Sequence, residues 1–166
     1  MKKSFSLFAL SLLLLARSAW AAPNLTVVFV DPENYSDASY SSSFANATDR
    51  AEVQREIEQH LQLLAHRSLA PGDSLKIEVL DIDLAGRVEP LRSRIGSDVR
   101  VIRDISLPRM TLRYTLTHGN QTTPSREERI SDLNYLSSFN RYPSGDRLRY
   151  EKAMLDRWFK ERFGNG

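Results

Sequence analysis

Two β-branched runs with a helix-periodic segment between them constrain this chain more than any other feature. Leu25 to Val30 reads LTVVFV, apolar on both faces, which predicts a central strand covered on both sides. Asp31-Pro32 ends it, because proline has no N–H to give to a ladder. After a loop of Ser, Asn, Asp and Ala, Asp49 and Glu52 have capping-box spacing, and Val53, Ile57, Leu61 and Leu64 recur at helical intervals. Pro71-Gly72 stops this helix after about 17 residues, and a second strand runs from Leu75 to Leu84. Strand, helix and strand in that order predict parallel pairing through a right-handed crossover.

The second strand carries an irregularity. Leu75, Ile77 and Val79 alternate with Lys76 and Glu78, but from Leu80 onward the apolar set is Leu80, Ile82 and Leu84, with Asp81 and Asp83 between. One extra residue reverses the inward and outward sense of all that follows, so a β-bulge at Val79–Leu80 is one explanation. A central strand covered on both faces, whose pattern carries little information, is the other.

Beyond it, approximately Asp98 to Arg103 predicts a third strand. Met110, Leu112, Tyr114 and Leu116 alternate with Thr111, Arg113, Thr115 and Thr117 as in a half-exposed antiparallel strand. His118-Gly119-Asn120 supports a turn, after which Glu127 to Leu133 is available as a fifth strand. A final helix from about Asp146 to Phe163 carries Leu148, Met154, Leu155, Trp158, Phe159 and Phe163 on a wide apolar face, which must dock on the sheet. The fold class is therefore α+β: a single mixed sheet in the order β-α-β-β-β-(β)-α with two main helices packed on it.

The N-terminus reads as a signal peptide. Lys2 and Lys3 precede the apolar run LFALSLLLLA, and Ala19-Trp20-Ala21 is a small-x-small cleavage site, giving a cleaved segment 1–21 and one domain over 22–166. The run is short for a membrane span and Arg17 interrupts it. Of 23 basic residues, Lys2, Lys3 and Arg17 leave with this segment and no acid does, so 20 face 21 acids and the net charge becomes −1. That balance gives no support to a nucleic-acid partner. With no cysteine there is no disulfide, thiolate chemistry or lipid-bearing Cys.

Several residue groups are candidates for chemistry. If the first two strands are parallel, Asp31, Glu33, Asp81 and Asp83 lie toward one sheet edge, where their carboxylates could hold Ca²⁺ or Mg²⁺. The dense D-x-D-x-D-G loop is missing, and solvated or Arg-paired acids explain them as well. Arginines crowd the middle of the chain, and Arg92, Arg94 and Arg100 suit an anion such as phosphate or an acidic glycan, with pairing to Asp81, Asp83 and Asp98 as the alternative. Gly72-Asp73-Ser74-Leu75 resembles the nucleophile block of GDSL esterases, but it precedes a strand, and no histidine has an Asp three residues before it. His60 and His66 read as surface or boundary residues. Tyr135, Phe139, Tyr142, Tyr150 and Trp158 form either a contact platform or core beneath the last helix.

VFVDPENYSDA, LKIEVLDIDLAG, PRMTLRYTL, ISDLNY and YEKAMLDRWF together resemble the blocks of a bacterial family, domain of unknown function 3016. The resemblance implies an exported, periplasmic protein and carries over no catalytic residues. The leading expectation is a non-enzymatic binding or interaction module, its partner an envelope protein or small ligand. The alternatives are a divalent-cation protein or metal-dependent hydrolase using the strand-end carboxylates, and an anion-binding envelope protein using the central arginines.

Overall fold

A computed structural model describes residues 24–41, 47–89 and 99–164; the signal-like segment, Arg92, Arg94 and Asp98 lie outside them. The elements are β1 (Asn24–Phe29), α1 (Ala47–Ser68), β2 (Asp73–Asp83), β3 (Arg87–Glu89), β4 (Val99–Val101), β5 (Arg109–His118), β6 (Gln121–Thr122), β7 (Arg126–Ser131) and α2 (Arg149–Phe163). The main sheet runs β1-β2-β5, with β6 and β7 both pairing β5. β1 is parallel to β2 and every other pairing is antiparallel, so the sheet is mixed as expected.

β1 is not central. Among the described residues it pairs with β2 alone, and its residues alternate between Leu25, Val27 and Phe29 on the core side and exposed Asn24, Thr26 and Val28. The uniform apolar run concealed an edge position, because which strand lies beside it is decided by residues far along the chain. The expected capping box is also not formed. α1 begins at Ala47, which puts Asp49 inside the first turn, where its carboxylate accepts a hydrogen bond from Ser41 Oγ at 2.8 Å. The strand expected near Asp98–Arg103 is β4, and it joins β3 in a separate two-stranded arm that the sequence pattern did not reveal.

The irregularity in β2 is a bulge. Val79 pairs with Leu112 and Asp81 with Thr111, leaving Leu80 unmatched. Before it, Leu75, Ile77 and Val79 are buried against the helices; after it, Ile82 and Leu84 are. Without the extra residue Asp81 and Asp83 would face the core and Ile82 the open side. The bulge therefore keeps the core face apolar and sends both aspartates to the opposite face.

The core lies between that face and the two helices. From α1 come Val53, Ile57, Leu61 and Leu64, spaced as the 3.6-residue repeat requires. α2 contributes Met154, Leu155, Trp158, Phe159 and Phe163, all buried, so the predicted apolar face docks as expected. Tyr114 of β5 meets Trp158 and Phe163 edge to face at 5.5 and 5.4 Å. Each such buried large side chain contributes about 1.5–3 kcal/mol of transfer free energy. Among the described residues no helix is long and apolar enough to cross a membrane.

Candidate functional site

The chain turns sharply at the end of β2. Gly86 has φ +79°, and a Cβ there would meet the Val101 carbonyl oxygen at 2.6 Å, so only glycine lets the β3–β4 arm pack this closely. Gly86 N–H donates to the Ser106 carbonyl at 2.8 Å, tying the arm to the approach to β5. The loop after β1 returns to the same place. Asp37 bridges to Asp83 as a short parallel continuation of the β1–β2 pairing.

A charged network fills this corner. Arg100 of the arm forks onto Asp37, with Nη1 donating to Oδ2 at 3.0 Å and Nη2 to Oδ1 at 2.9 Å. Its Nη2 also donates to the Ser39 carbonyl at 2.6 Å, and Nη1 to those of Ala85 and Gly86. Asp83, buried, accepts from Arg87 at 2.8 Å and Arg109 at 3.2 Å. Two-pronged guanidinium–carboxylate geometry gives direction as well as strength, so Arg100 acts as a clip between arm and loop.

Beneath it lies Glu151, 1% exposed in the first turn of α2. Oε1 accepts the Ala85 N–H at 2.7 Å, while Oε2 has no protein partner. Burial raises its carboxyl to about 7; the Ala85 N–H and the Arg100 charge pull the other way without offsetting it.

Above the network opens a cleft of about 560 Å³, walled by the loop at Tyr40-Ser41, the first turn of α1 at Asp49, Arg100 and Ile102 beside the arm, and the segment Ser144–Tyr150 leading into α2. Arg147 lies over the Tyr40 ring at 4.6 Å and Arg149 over the Tyr150 ring at 5.2 Å. Tyr150 is itself braced edge to face by Tyr135 at 4.8 Å, and the Tyr135 hydroxyl donates to the Arg103 carbonyl. Burial raises the Tyr40 hydroxyl well above its ordinary range, with Glu56 adding to the effect, so Tyr40 stays protonated and donates to Glu56.

Among the described residues, four buried side-chain polar atoms have no hydrogen-bond partner: Ser39 Oγ, Arg100 Nε, Arg149 Nε and Glu151 Oε2. Two of them, on Arg100 and Arg149, belong to residues that line the cleft, and the other two, on Ser39 and Glu151, to chain neighbours of the lining residues Tyr40 and Tyr150. Folded proteins leave few such atoms, and each requires an explanation.

The residues singled out from sequence stand elsewhere or do other work. Asp31 and Glu33 are exposed in the loop after β1. Asp81 accepts from Ser36 N–H at 2.7 Å and Ser36 Oγ at 2.9 Å, and Asp83 is taken by arginines. Among the described residues no three His, Asp or Glu side chains form a group that could hold a metal ion. Arg100 does bind an oxyanion, but the oxyanion is Asp37 of the same chain. His60 is buried rather than superficial: its Nε2 meets Asp156 Oδ1 at 3.0 Å, and the Tyr142 hydroxyl donates to Asp156 Oδ2 at 2.8 Å, joining α1 to α2. Ser74 is an exposed residue of β2 opposite Thr117, and His118 Nδ1 bonds Asp73. Of the aromatic group, Tyr135 and Trp158 are core, while Phe139 is exposed.

Sequence reasoning missed Asp37, Arg147, Arg149 and Glu151. Only Glu151 had a legible signal: it falls on the apolar stripe of α2, three residues after Leu148 and four before Leu155, where a carboxylate is out of place.

Fold and site together define a two-layer α+β domain carrying an arginine- and tyrosine-walled cleft beside a buried carboxyl. The chain belongs to the family described as Protein of unknown function (DUF3016), whose model matches residues 23–161. Among curated proteins, none matches it.

Proposed function

We propose that this protein is a non-enzymatic binding module of the bacterial envelope, exported by its N-terminal segment, and that it takes its ligand in the cleft between the arm, the loop after β1 and the start of α2. The observation that carries this reading is the gathering of unmatched buried polar atoms at residues that line one cleft, Arg100 and Arg149, or adjoin its lining residues in the chain, Ser39 and Glu151. Unmatched polar groups cost stability wherever they are, and their concentration at one concave place is the signature of a site kept for recognition. A binding rather than catalytic role is supported by two of the three histidines, which each spend a ring nitrogen on an aspartate: His60 on Asp156 and His118 on Asp73. Neither is hydrogen-bonded to a serine hydroxyl, as an activated nucleophile would require.

The test begins with bacteria expressing the full sequence. Cell fractionation with N-terminal sequencing should recover the protein in the periplasm, starting at Ala22. That product, isotopically labelled, is then titrated with neutral sugars, basic peptides, carboxylates and phosphates while its amide resonances are followed. At least one class should shift Tyr40, Ser41, Ile102 and Arg147, and the added compound should be recovered unchanged. No shift there from any class, or conversion of the compound, would sink the reading.

A further inference from the structure

Among the described residues, the arginines of the arm and central strands are held differently from two on the cleft wall. Arg87, Arg100, Arg103, Arg109 and Arg113 each reach a carboxylate of the same chain. Arg147 and Arg149, side by side on the cleft wall, do not: among the described residues each is held by a tyrosine ring alone. Stacking on a ring fixes the guanidinium plane and leaves the N–H edges free to donate, which removes much of the rotamer entropy a ligand would otherwise have to freeze.

From this we propose that Arg147 and Arg149 are the recognition residues for a single oxyanion, a carboxylate or a phosphate monoester, borne on a larger ligand body. The inference rests on the cleft being the ligand site. Charge accounting sets the number. In the cleft wall Arg100 is paired with Asp37, and Asp146 shares Lys152 with Glu56, at 2.8 and 3.1 Å. Counted over the lining residues alone, the guanidiniums of Arg100, Arg147 and Arg149 face the carboxylates of Asp49 and Asp146, a formal charge of +1. One oxyanion matches that balance and a densely charged polyanion does not. Size sets the body: about 560 Å³ lies in the range of small-molecule sites, roughly 300–1,000 Å³, and far exceeds a bare phosphate. Tyr40, Tyr150 and Ile102 supply apolar surface for the remainder.

Three probes separate the alternatives: N-acetyltyrosine, its neutral amide N-acetyltyrosinamide, and phenyl phosphate, titrated into the labelled protein at one fixed ionic strength so that screening is constant. The acid or the phosphate should shift the cleft resonances, their ratio telling which oxyanion is preferred, and the amide should bind at least about 10-fold more weakly, as loss of a charge-assisted pair implies. Arg147→Gln and Arg149→Gln should each weaken the charged probe by a similar factor, while Arg129→Gln, an exposed arginine outside the cleft, should not. Arg149→Lys, which keeps the charge without the fork, should fall between. If the amide binds as well as the acid, or the double Gln variant binds undiminished, the oxyanion inference is overturned and the binding module stands. If neither charged probe shifts the cleft, the inference is likewise overturned, and the wider panel of sugars and peptides decides the fate of the module itself. The acid–amide comparison needs no variant, so a substitution that unfolds the chain cannot shield the proposal.

Discussion

Glu151→Gln should change how stability depends on pH. The wild-type carboxyl sits at about 7 in the fold against an ordinary 4.5, chiefly through burial. Because the folded value is raised, the native state holds a proton that the unfolded chain has released. This group's contribution is therefore fully present below about pH 4.5 and is lost as pH rises through about 7, after which it is flat. At about 1.4 kcal/mol per pH unit, that interval corresponds to about 3 kcal/mol. In a chain of this size it is roughly 6–12 °C in Tm. Glutamine keeps the acceptor for Ala85 N–H and cannot titrate. Urea unfolding followed through the buried Trp158, at half-unit steps from pH 4.5 to 8.5, should give a wild-type curve falling by about 3 kcal/mol relative to the variant. Other titrating groups are common to both curves and cancel. Parallel curves would refute the reasoning: Glu151 would then be ionised in the fold, and solvated or paired.

Three further substitutions test the framework around it. Asp37→Ala strands the Arg100 guanidinium, 15% exposed, without its carboxylate, and should cost about 3 kcal/mol in denaturant unfolding; Arg100→Met in the same background should recover part of that, since no unpaired charge remains. Gly86→Ala forces a side chain into φ +79° and against the Val101 carbonyl, so it should cost at least about 1–3 kcal/mol and make the arm around β3 and β4 the first site of limited proteolysis. Phe159→Ala removes a fully buried ring under α2 and should cost about 3–5 kcal/mol by calorimetry; a loss under 1 kcal/mol would mean that α2 does not dock as described.

Much of the fold was legible because it follows from local periodicity. The 3.6-residue repeat of Val53, Ile57, Leu61 and Leu64 gave α1, and the stripe ending in Phe159 and Phe163 gave α2. The two-residue repeat from Met110 gave β5, and the one-residue slip at Leu80 in the second strand made a bulge one of two readings, since an inserted residue is recorded in the order of side chains whatever lies opposite. The family resemblance agrees with the model match over residues 23–161.

What tertiary structure alone decided is partnership. β1 looked central because its own residues are apolar, yet it stands at the edge, since nothing in LTVVF says what lies beside it. Arg100 read as a candidate anion binder, and in the fold its guanidinium is paired with Asp37, 63 residues away. Nothing along the chain singled out Arg147 and Arg149, and only the fold shows that they lie over the rings of Tyr40 and Tyr150. A side chain's type and its period along the chain are written locally, whereas whether its charge is matched depends on which distant segment folds against it. For that reason the sequence by itself determined the layers of this protein, and only the folded chain decided where its cleft lies and which charges face into it.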